Sequence, residues 1–490
     1  MGDDLPDLPI AIIGAGFAGI ATAIRLRQEG ITSFTIFERA DEIGGTWRDN
    51  TYPGAACDVP SHVYSLSFAQ SPKWTRRYAP SKEIQDYLLG LVEQWQLRSH
   101  LRLGTEIVEA RFDEAQGTWT LTTGEGEPVR ARVVVSGVDD LIDPKLPDIK
   151  GIERFEGELF HTARWNHDYD LMGRRVAVVG TGASAVQVVP SIAGEVDKLS
   201  VFQRTPAWVV PKQDHRYTPQ QIERLERHPW LLRLSRYAKY WLSEVRGPMV
   251  YLDSKRLSAI AEKGSKMHLE AQVKDPELRR KLTPDFQFGC KRILISDDYW
   301  ATFERDNVEL VTDPIDSIEA RGLRTRDGRL HEVDAIVMAT GFALGLAAAP
   351  FPIVGRGGVT LDEAWKDGAV AFQGMSVSGF PNWFVLMGPN TGPGHTSVLV
   401  FTEAQVSHAI EAIRALRERN LKFVDVKPEV VARWNQKVQG RMGRMVWSTG
   451  CNSWYLSDDH SNHSLYPGPA FEYVVRARHF HDADYELAAG

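Results

Sequence analysis

The sequence predicts an α/β protein with two Rossmann-like dinucleotide-binding domains, the second inserted within the first and carrying a helical insertion. Two observations predict this. The chain twice runs from a short apolar stretch through a glycine-rich turn into a helix and a second apolar stretch, the order of a βαβ nucleotide site. Between residues 217 and 285 it changes to a Leu-, Arg-, Lys- and Glu-rich composition with few glycines, which reads as helix. At 490 residues the chain is too long for one ordinary core. The expected division is 1–140 for the first domain, 141–170 for a linker, 171–330 for the second domain with its insertion, and 331–490 for the return to the first.

The first unit opens with Ile10-Ala-Ile-Ile13, an apolar run of the kind a buried parallel strand needs, followed by Gly14-Ala-Gly16-Phe-Ala-Gly19. Ile20, Ala23 and Ile24 fall at helical spacing, with Arg25 and Arg27 on the wet side and Gly30 placed to end the helix. Ser33–Phe37 is the second strand, and Glu38 follows it about two dozen residues beyond Gly14, where a carboxylate accepts hydrogen bonds from a ribose. Gly44-Gly45-Thr46-Trp47 and Tyr52-Pro-Gly54-Ala-Ala-Cys57-Asp58 come next. Small residues and planar rings there suit an isoalloxazine ring, so the first nucleotide is expected to be FAD.

Ile107–Phe112 and Trp119–Thr123 alternate around Gly117, a hairpin signal, and Val133–Val135 reads as a strand returning to the first sheet. The second unit begins at Arg175–Val179 and turns through Gly180-Thr181-Gly182-Ala-Ser184-Ala185. Its second strand is Lys198–Phe202. Arg204 then stands at the offset from Gly180 that Glu38 has from Gly14. A carboxylate would repel a 2′-phosphate, whereas Gln203-Arg204-Thr205 offers donors to one, so NADPH is expected rather than NADH.

In the insertion, Trp230, Tyr237, Tyr240, Trp241 and Met249 could cover a substrate entrance, but an aromatic stripe at helical spacing more often packs. Phe288-Gly-Cys-Lys291-Arg292-Ile-Leu places a Lys-Arg pair after Gly289 among apolar residues, a setting that favours function over a solvated face. Asp334–Phe342 is expected to be a buried strand rejoining the first sheet. Gly388–His395 is a glycine-rich loop before a helix starting near Thr396, suited to the flavin. Met445–Pro469, with Trp447, Trp454, Tyr455 and Tyr466 beside polar runs, reads as a mobile flap.

Phe155-x-Gly157-x-x-x-His161-x-x-x-Trp165 resembles the fingerprint of the type I Baeyer-Villiger monooxygenases, class B flavoprotein monooxygenases, with Asn166 where the family has Pro or Asp. Gly44 to Asp58 is similar to a longer pattern of the same family at every fixed position. The resemblance implies that Thr46, Trp47, Asp58 and Tyr64 line the flavin and that Lys291 reaches the 2′-phosphate. It further implies that Arg292 reaches the flavin and that Trp454 is the family's loop tryptophan, with His161 structural or switching. The implied activity consumes NADPH and O2 and inserts one oxygen atom beside a ketone carbonyl, giving an ester or lactone through a C4a-peroxyflavin. Arg292 would hold that peroxide as the anion and stabilise the oxyanion that follows, with Asp58 positioning it. A flavin-containing N- or S-monooxygenase shares the two nucleotide sites. An electron-transfer flavoprotein reductase is the alternative of another class, and would need a docking face for a redox partner.

Composition narrows the partners. Lysine and arginine total 57 against 64 acids, a net charge of −7, and no basic block marks nucleic acid or membrane. Cys57, Cys290 and Cys451 fit no metal-ligand spacing and no C-x-x-C pair, which points to a reducing cytoplasm, no metal and no disulfide reductase. No apolar run is long enough to cross a membrane, and the acidic, proline-rich start is unlike a signal peptide. Pro6 stands where myristoylation at Gly2 would want Ser or Thr. The expected partners are a ketone and O2, with no redox protein.

Overall fold

The computed structural model describes residues 9–138, 143–343, 349–450, 453, 455–456 and 461–490. Trp454, Cys451 and the polar run 457–460 lie outside them. Two five-stranded parallel sheets organise the fold. In the first, Ile10–Ile13 lies between Phe34–Phe37 and Val133–Ser136, with Leu101–Arg102 and Trp383–Val385 at the edges. The central strands are buried on both faces, which is why they read as unbroken apolar runs rather than alternating ones. The helix Phe17–Gln28 packs on this sheet and ends as expected, with Gly30 at φ +71° just beyond it. The hairpin is present as Ile107–Asp113 against Thr118–Thr123, and Pro128–Ala131 extends it.

The second sheet runs Val308–Val311, Lys198–Phe202, Arg175–Val179, Ala335–Met338, Glu158–His161. Two sequence expectations are corrected here. Ala335–Met338 pairs with Arg175–Val179 in the second sheet instead of returning to the first; an apolar tetrapeptide carries no mark of which sheet it will join. The strand that does rejoin the first sheet is Trp383–Val385, only three residues long. The fingerprint segment also carries more than a connection, because Glu158–His161 is the edge strand of the second sheet.

The insertion is helical, with helices at Pro219–Arg227, Pro229–Arg246, Pro248–Tyr251, Lys255–Gln272 and Pro276–Leu282. Four of the five start on proline, whose missing N–H has no helical partner at that position anyway. Side chains of Thr218, Ser254 and Asp275 cap three of them. The helix after the Gly388 loop is Val398–Glu418, its first turn capped by Ser397.

The Met445–Pro469 stretch departs from a loose flap wherever it is described. Trp447, Tyr455 and Tyr466 are buried, and Asn390 ties the downstream part down by donating to Asn462 O at 2.8 Å and Leu465 O at 3.2 Å. Backbone bonds join Gly392 to Ser464 and Tyr466 to Gly392. Among the cysteines, Cys57 is a buried free thiol and Cys290 is disulfide-bonded. Wide spacing along the chain, read as reduced thiols, says nothing of which loops the fold brings together. No helix among the described residues is long and apolar enough to cross a membrane, and no metal-binding group occurs among them.

Candidate active site

The two glycine turns solve the same steric problem in parallel. Gly14 has φ +93° and Gly180 φ +117°, a left-handed region in which a side chain is strained. A Cβ on Gly14 would meet Gly137 O at 3.0 Å, and one on Gly180 would meet Ala339 O at 2.4 Å. Each turn therefore packs against the next strand's exit. Gly19 is closed for a different reason, since its Cβ would lie 1.9 Å from Gly14 O, where the helix presses on the turn. The middle glycines are open: a Cβ at Gly182 meets nothing within 4 Å, and one at Gly16 only the Gly45 Cα at 4.0 Å. Those open glycine surfaces, at the N-termini of the helices Phe17–Gln28 and Ala185–Ile192, fit two pyrophosphates.

Both turns open onto one cavity of about 2260 Å³, more than twice the upper end of an ordinary small-ligand pocket of roughly 1,000 Å³. Among the described residues, every site residue expected from sequence lines it except Gly19, buried behind its turn. On the first-turn side, Glu38 is fixed by the N–H of Ala15 at 2.9 Å and by Arg48 at 3.0 Å. Thr46 and Trp47 begin a short helix, Trp47 Nε1 donates to the Tyr64 hydroxyl at 3.0 Å, and Tyr64 in turn meets Phe17 edge-on.

On the second side, Thr181 donates to Thr205 O at 2.8 Å, closing the turn on the strand end that carries Arg204. Arg204 is exposed, and Lys291 is half-buried with its ammonium 4.9 Å from the Phe286 ring centroid. Burial first, and the Arg204 charge second, hold Lys291 below the usual lysine range. Two neighbouring cations, neither in an ion pair among the described residues, suit a dianionic phosphate. Gln203 does not join them: its amide donates to Lys281 O at 2.7 Å, so the donors narrow to Arg204, Lys291 and Thr205.

Between the two sides stands Arg292. Gly289, at φ +90° with its missing Cβ 2.2 Å from Val250 O, pins the loop before it, and the strand Leu294–Ile295 pairs with Val209–Val210 after it. Arg292 Nη2 donates to Asp58 Oδ2 at 2.5 Å. Protein surrounds this pair, yet the side chains keep 41% and 31% of their surface exposed, which they turn to the cavity. The Asp58 charge is the leading cause that raises Arg292 above its ordinary pKa, against the opposing effect of burial. Tyr455, buried beside the pair, is pushed up to about 12, mainly by burial.

The loop that carries Asp58 also touches the second domain, a link the sequence does not announce. Gln187, in the first turn of Ala185–Ile192, accepts from the Tyr52 hydroxyl at 2.9 Å and from Ala56 N at 3.3 Å, and donates to Ala56 O at 2.9 Å. Ser184 hydrogen-bonds the same Tyr52 hydroxyl. Gly54, at φ +81°, leaves no room between the two, since its Cβ would meet Ser191 Oγ at 2.1 Å and Gln187 O at 2.6 Å. His395 is a second residue missed: it lines the cavity with Nε2 3.4 Å from the buried Glu244. Its glycine-rich loop was visible in sequence, but its partner from the insertion was not.

The fingerprint residues stand outside the cavity. His161 is buried, accepts the Ala163 N–H on Nδ1, and lies edge-on to Phe342; burial lowers its pKa. Trp165 packs on Phe160. Asn166 Oδ1 accepts the Asp168 N–H at 3.0 Å, the bond an Asp would make there, so this departure from the pattern leaves the turn intact.

Comparison with known proteins places these features. Residues 8–352 match the Flavin-binding monooxygenase-like family. A Baeyer-Villiger monooxygenase of Streptomyces coelicolor is 42% identical over 480 residues, covering 98% of this chain and 92% of that protein. One of Pseudomonas aeruginosa is 42% identical over 483 residues, covering 98% and 91%. The crystal structure of OTEMO in complex with FAD and NADP superposes with a TM-score of 0.87 at 27% identity, covering 99% of this chain and 100% of that one.

Proposed function

This chain belongs to the flavin-binding monooxygenase-like family, and from that premise we propose that it is an FAD-dependent, NADPH-consuming Baeyer-Villiger monooxygenase. It converts a ketone and O2 to an ester or lactone, acting in the cytoplasm without a redox protein partner. Bound FAD, reduced by NADPH, supplies the activated oxygen. The protein's part is binding, placement and charge. The Gly14–Gly19 turn takes the FAD pyrophosphate and Glu38 its ribose; the Gly180–Ala185 turn takes NADPH, with Arg204 and Lys291 on its 2′-phosphate. Thr46, Trp47, Asp58 and Tyr64 line the flavin.

Arg292 is the catalytic residue of this reading. Its guanidinium keeps its proton at any working pH, so it presents a permanent positive charge to an oxygen that gains negative charge as the ketone carbonyl is attacked. Asp58 orients that charge and balances it when no anion is present. The carrying observation is the placement of the Arg292–Asp58 pair in the one cavity that both glycine turns share. An arginine is dispensable for simple electron transfer or for oxygenating a nucleophilic nitrogen or sulfur.

The test is Arg292→Ala, assayed for FAD content, NADPH reduction of the flavin, and ester formed from a ketone panel. The expected protein keeps its FAD and its reduction by NADPH and forms no ester. Full ester formation would remove Arg292 from the chemistry, and parallel loss of FAD would reduce it to a structural residue.

A further inference from the structure

The helix Pro229–Arg246 turns an apolar face to solvent. Trp230 is 61% exposed, Tyr237 62% and Val245 73%, with Leu234 and Trp241 also exposed between them. Their spacings of four, three, four and four residues put all five on one side of a helix. The sequence expectation that this stripe packs is corrected for Trp230, Tyr237 and Trp241, while Tyr240 packs against the core and Met249 lines the cavity; the helix packs through its other side, where Arg236 and Lys239 reach into the flavin domain. The face continues across the Trp241–Phe471 ring contact, 5.8 Å between centroids, to exposed Phe471 and Val475 on the helix Ala470–Ala477. Leu242, exposed on the same helix, is also part of the cavity wall.

Charge on this face has one sign. The exposed cation beside the stripe is Arg233, not ion-paired among the described residues, whereas Arg246, exposed at the helix end, lines the cavity. The helix's only acid, Glu244, is buried against His395. Arg478 adds an exposed cation next to the second helix, while the preceding helix Pro219–Arg227 balances two arginines with two glutamates. The net charge of −7, which points away from a membrane when read over the whole chain, hides this local excess.

We propose that this face docks on an anionic phospholipid surface, the helix lying in the interface plane with its aromatic and aliphatic stripe below the phosphates and its arginines among them. Charge selects lipid over a second copy of the chain. A two-fold contact would press the same arginine-bearing face onto itself, and its nearby acid, Glu472, is already paired with Arg441 and Arg476, so Arg233 and Arg478 would meet no free carboxylate, whereas anionic headgroups answer them. The attachment is peripheral, because the described residues hold no spanning helix.

The test is flotation of the full-length FAD-loaded protein with vesicles of phosphatidylcholine and phosphatidylglycerol in equal parts, against vesicles of phosphatidylcholine alone. The expected protein floats with the anionic vesicles, is released by salt, and stays largely free of the neutral ones. Arg233→Gln lowers the partition about fivefold, the factor equivalent to about 1 kcal/mol per basic residue at an anionic surface. The double variant Trp230→Glu with Leu234→Glu abolishes flotation while retaining FAD and NADPH oxidation, since neither residue lines the cavity. The inference is overturned if wild type stays off the anionic vesicles, floats equally with both kinds, or if the double variant floats as wild type does. A wild-type dimer in sedimentation that the double variant dissolves, without vesicle binding, would give the face to a second copy instead.

Discussion

Asp58→Asn separates charge from shape at the site. The amide keeps the size of the carboxylate, and its Oδ1 still accepts from Arg292 Nη2, now 2.5 Å from Asp58 Oδ2. What disappears is the negative charge. Two unit charges ~4 Å apart interact by about 4 kcal/mol at an effective dielectric near 20, but the side chains keep 41% and 31% of their surface open to the cavity, and water there screens them. A hydrogen bond to a charged group contributes about 1.5 to 3 kcal/mol net, and exposure puts this pair at the lower end. About 1.5 kcal/mol corresponds to roughly a tenfold loss in the fraction of turnovers that end in ester. The assay follows NADPH oxidation and ester formation in parallel on the same protein. Flavin reduction should hold its rate while ester per NADPH falls about tenfold and hydrogen peroxide makes up the difference. A wild-type ratio of ester to NADPH would refute the role given to Asp58.

Lys291 begins below the usual lysine range through burial and the Arg204 charge, so its positive charge is complete below its own pKa and is lost as pH rises through it. KM for NADPH should climb at a lower alkaline pH than an ordinary lysine would give, and Lys291→Arg should flatten that climb in steady-state kinetics. Gln187→Leu leaves both Ala56 backbone groups without their partner and the Tyr52 hydroxyl with Ser184 in place of two partners. At about 1 kcal/mol per bond it should loosen the domain contact by about 3 kcal/mol, seen as a lower unfolding temperature and a weaker flavin spectral response to NADP. Gln187→Glu should recover at acidic pH, where a protonated carboxyl can again donate to Ala56 O; pH-independent behaviour would count against the contact. Gly54→Ala forces a Cβ to within 2.6 Å of Gln187 O at φ +81° and should destabilise by about 1 to 3 kcal/mol, measurable by thermal unfolding with FAD bound.

Features held within a single βαβ unit were legible in the sequence, and features made by two units were not. Gly14, Gly16, Gly19 and Glu38 are set by one strand, one turn and one helix, so their spacing alone placed them, and the same holds for Gly180, Gly182 and Arg204. Ala335–Met338 was assigned to the wrong sheet because hydropathy reports that a strand is buried on both faces without reporting its neighbours. Gln203 looked like a phosphate ligand by adjacency to Arg204, yet alternation along the strand end turns it the other way, to Lys281 O. Gln187 carries no signal at all: a glutamine early in a helix is an ordinary surface residue until the flavin loop arrives from 131 positions away. The aromatic stripe of Pro229–Arg246 failed in the opposite sense. Periodicity found its face correctly, but the direction of burial belongs to the rest of the molecule, and here the flavin domain engages the arginine and lysine side of the helix and leaves tryptophan and tyrosine to solvent. An amphipathic pattern therefore fixes an axis and leaves its sign to tertiary contacts, and a helix whose apolar side ends up outward is where a surface for something other than water is to be sought.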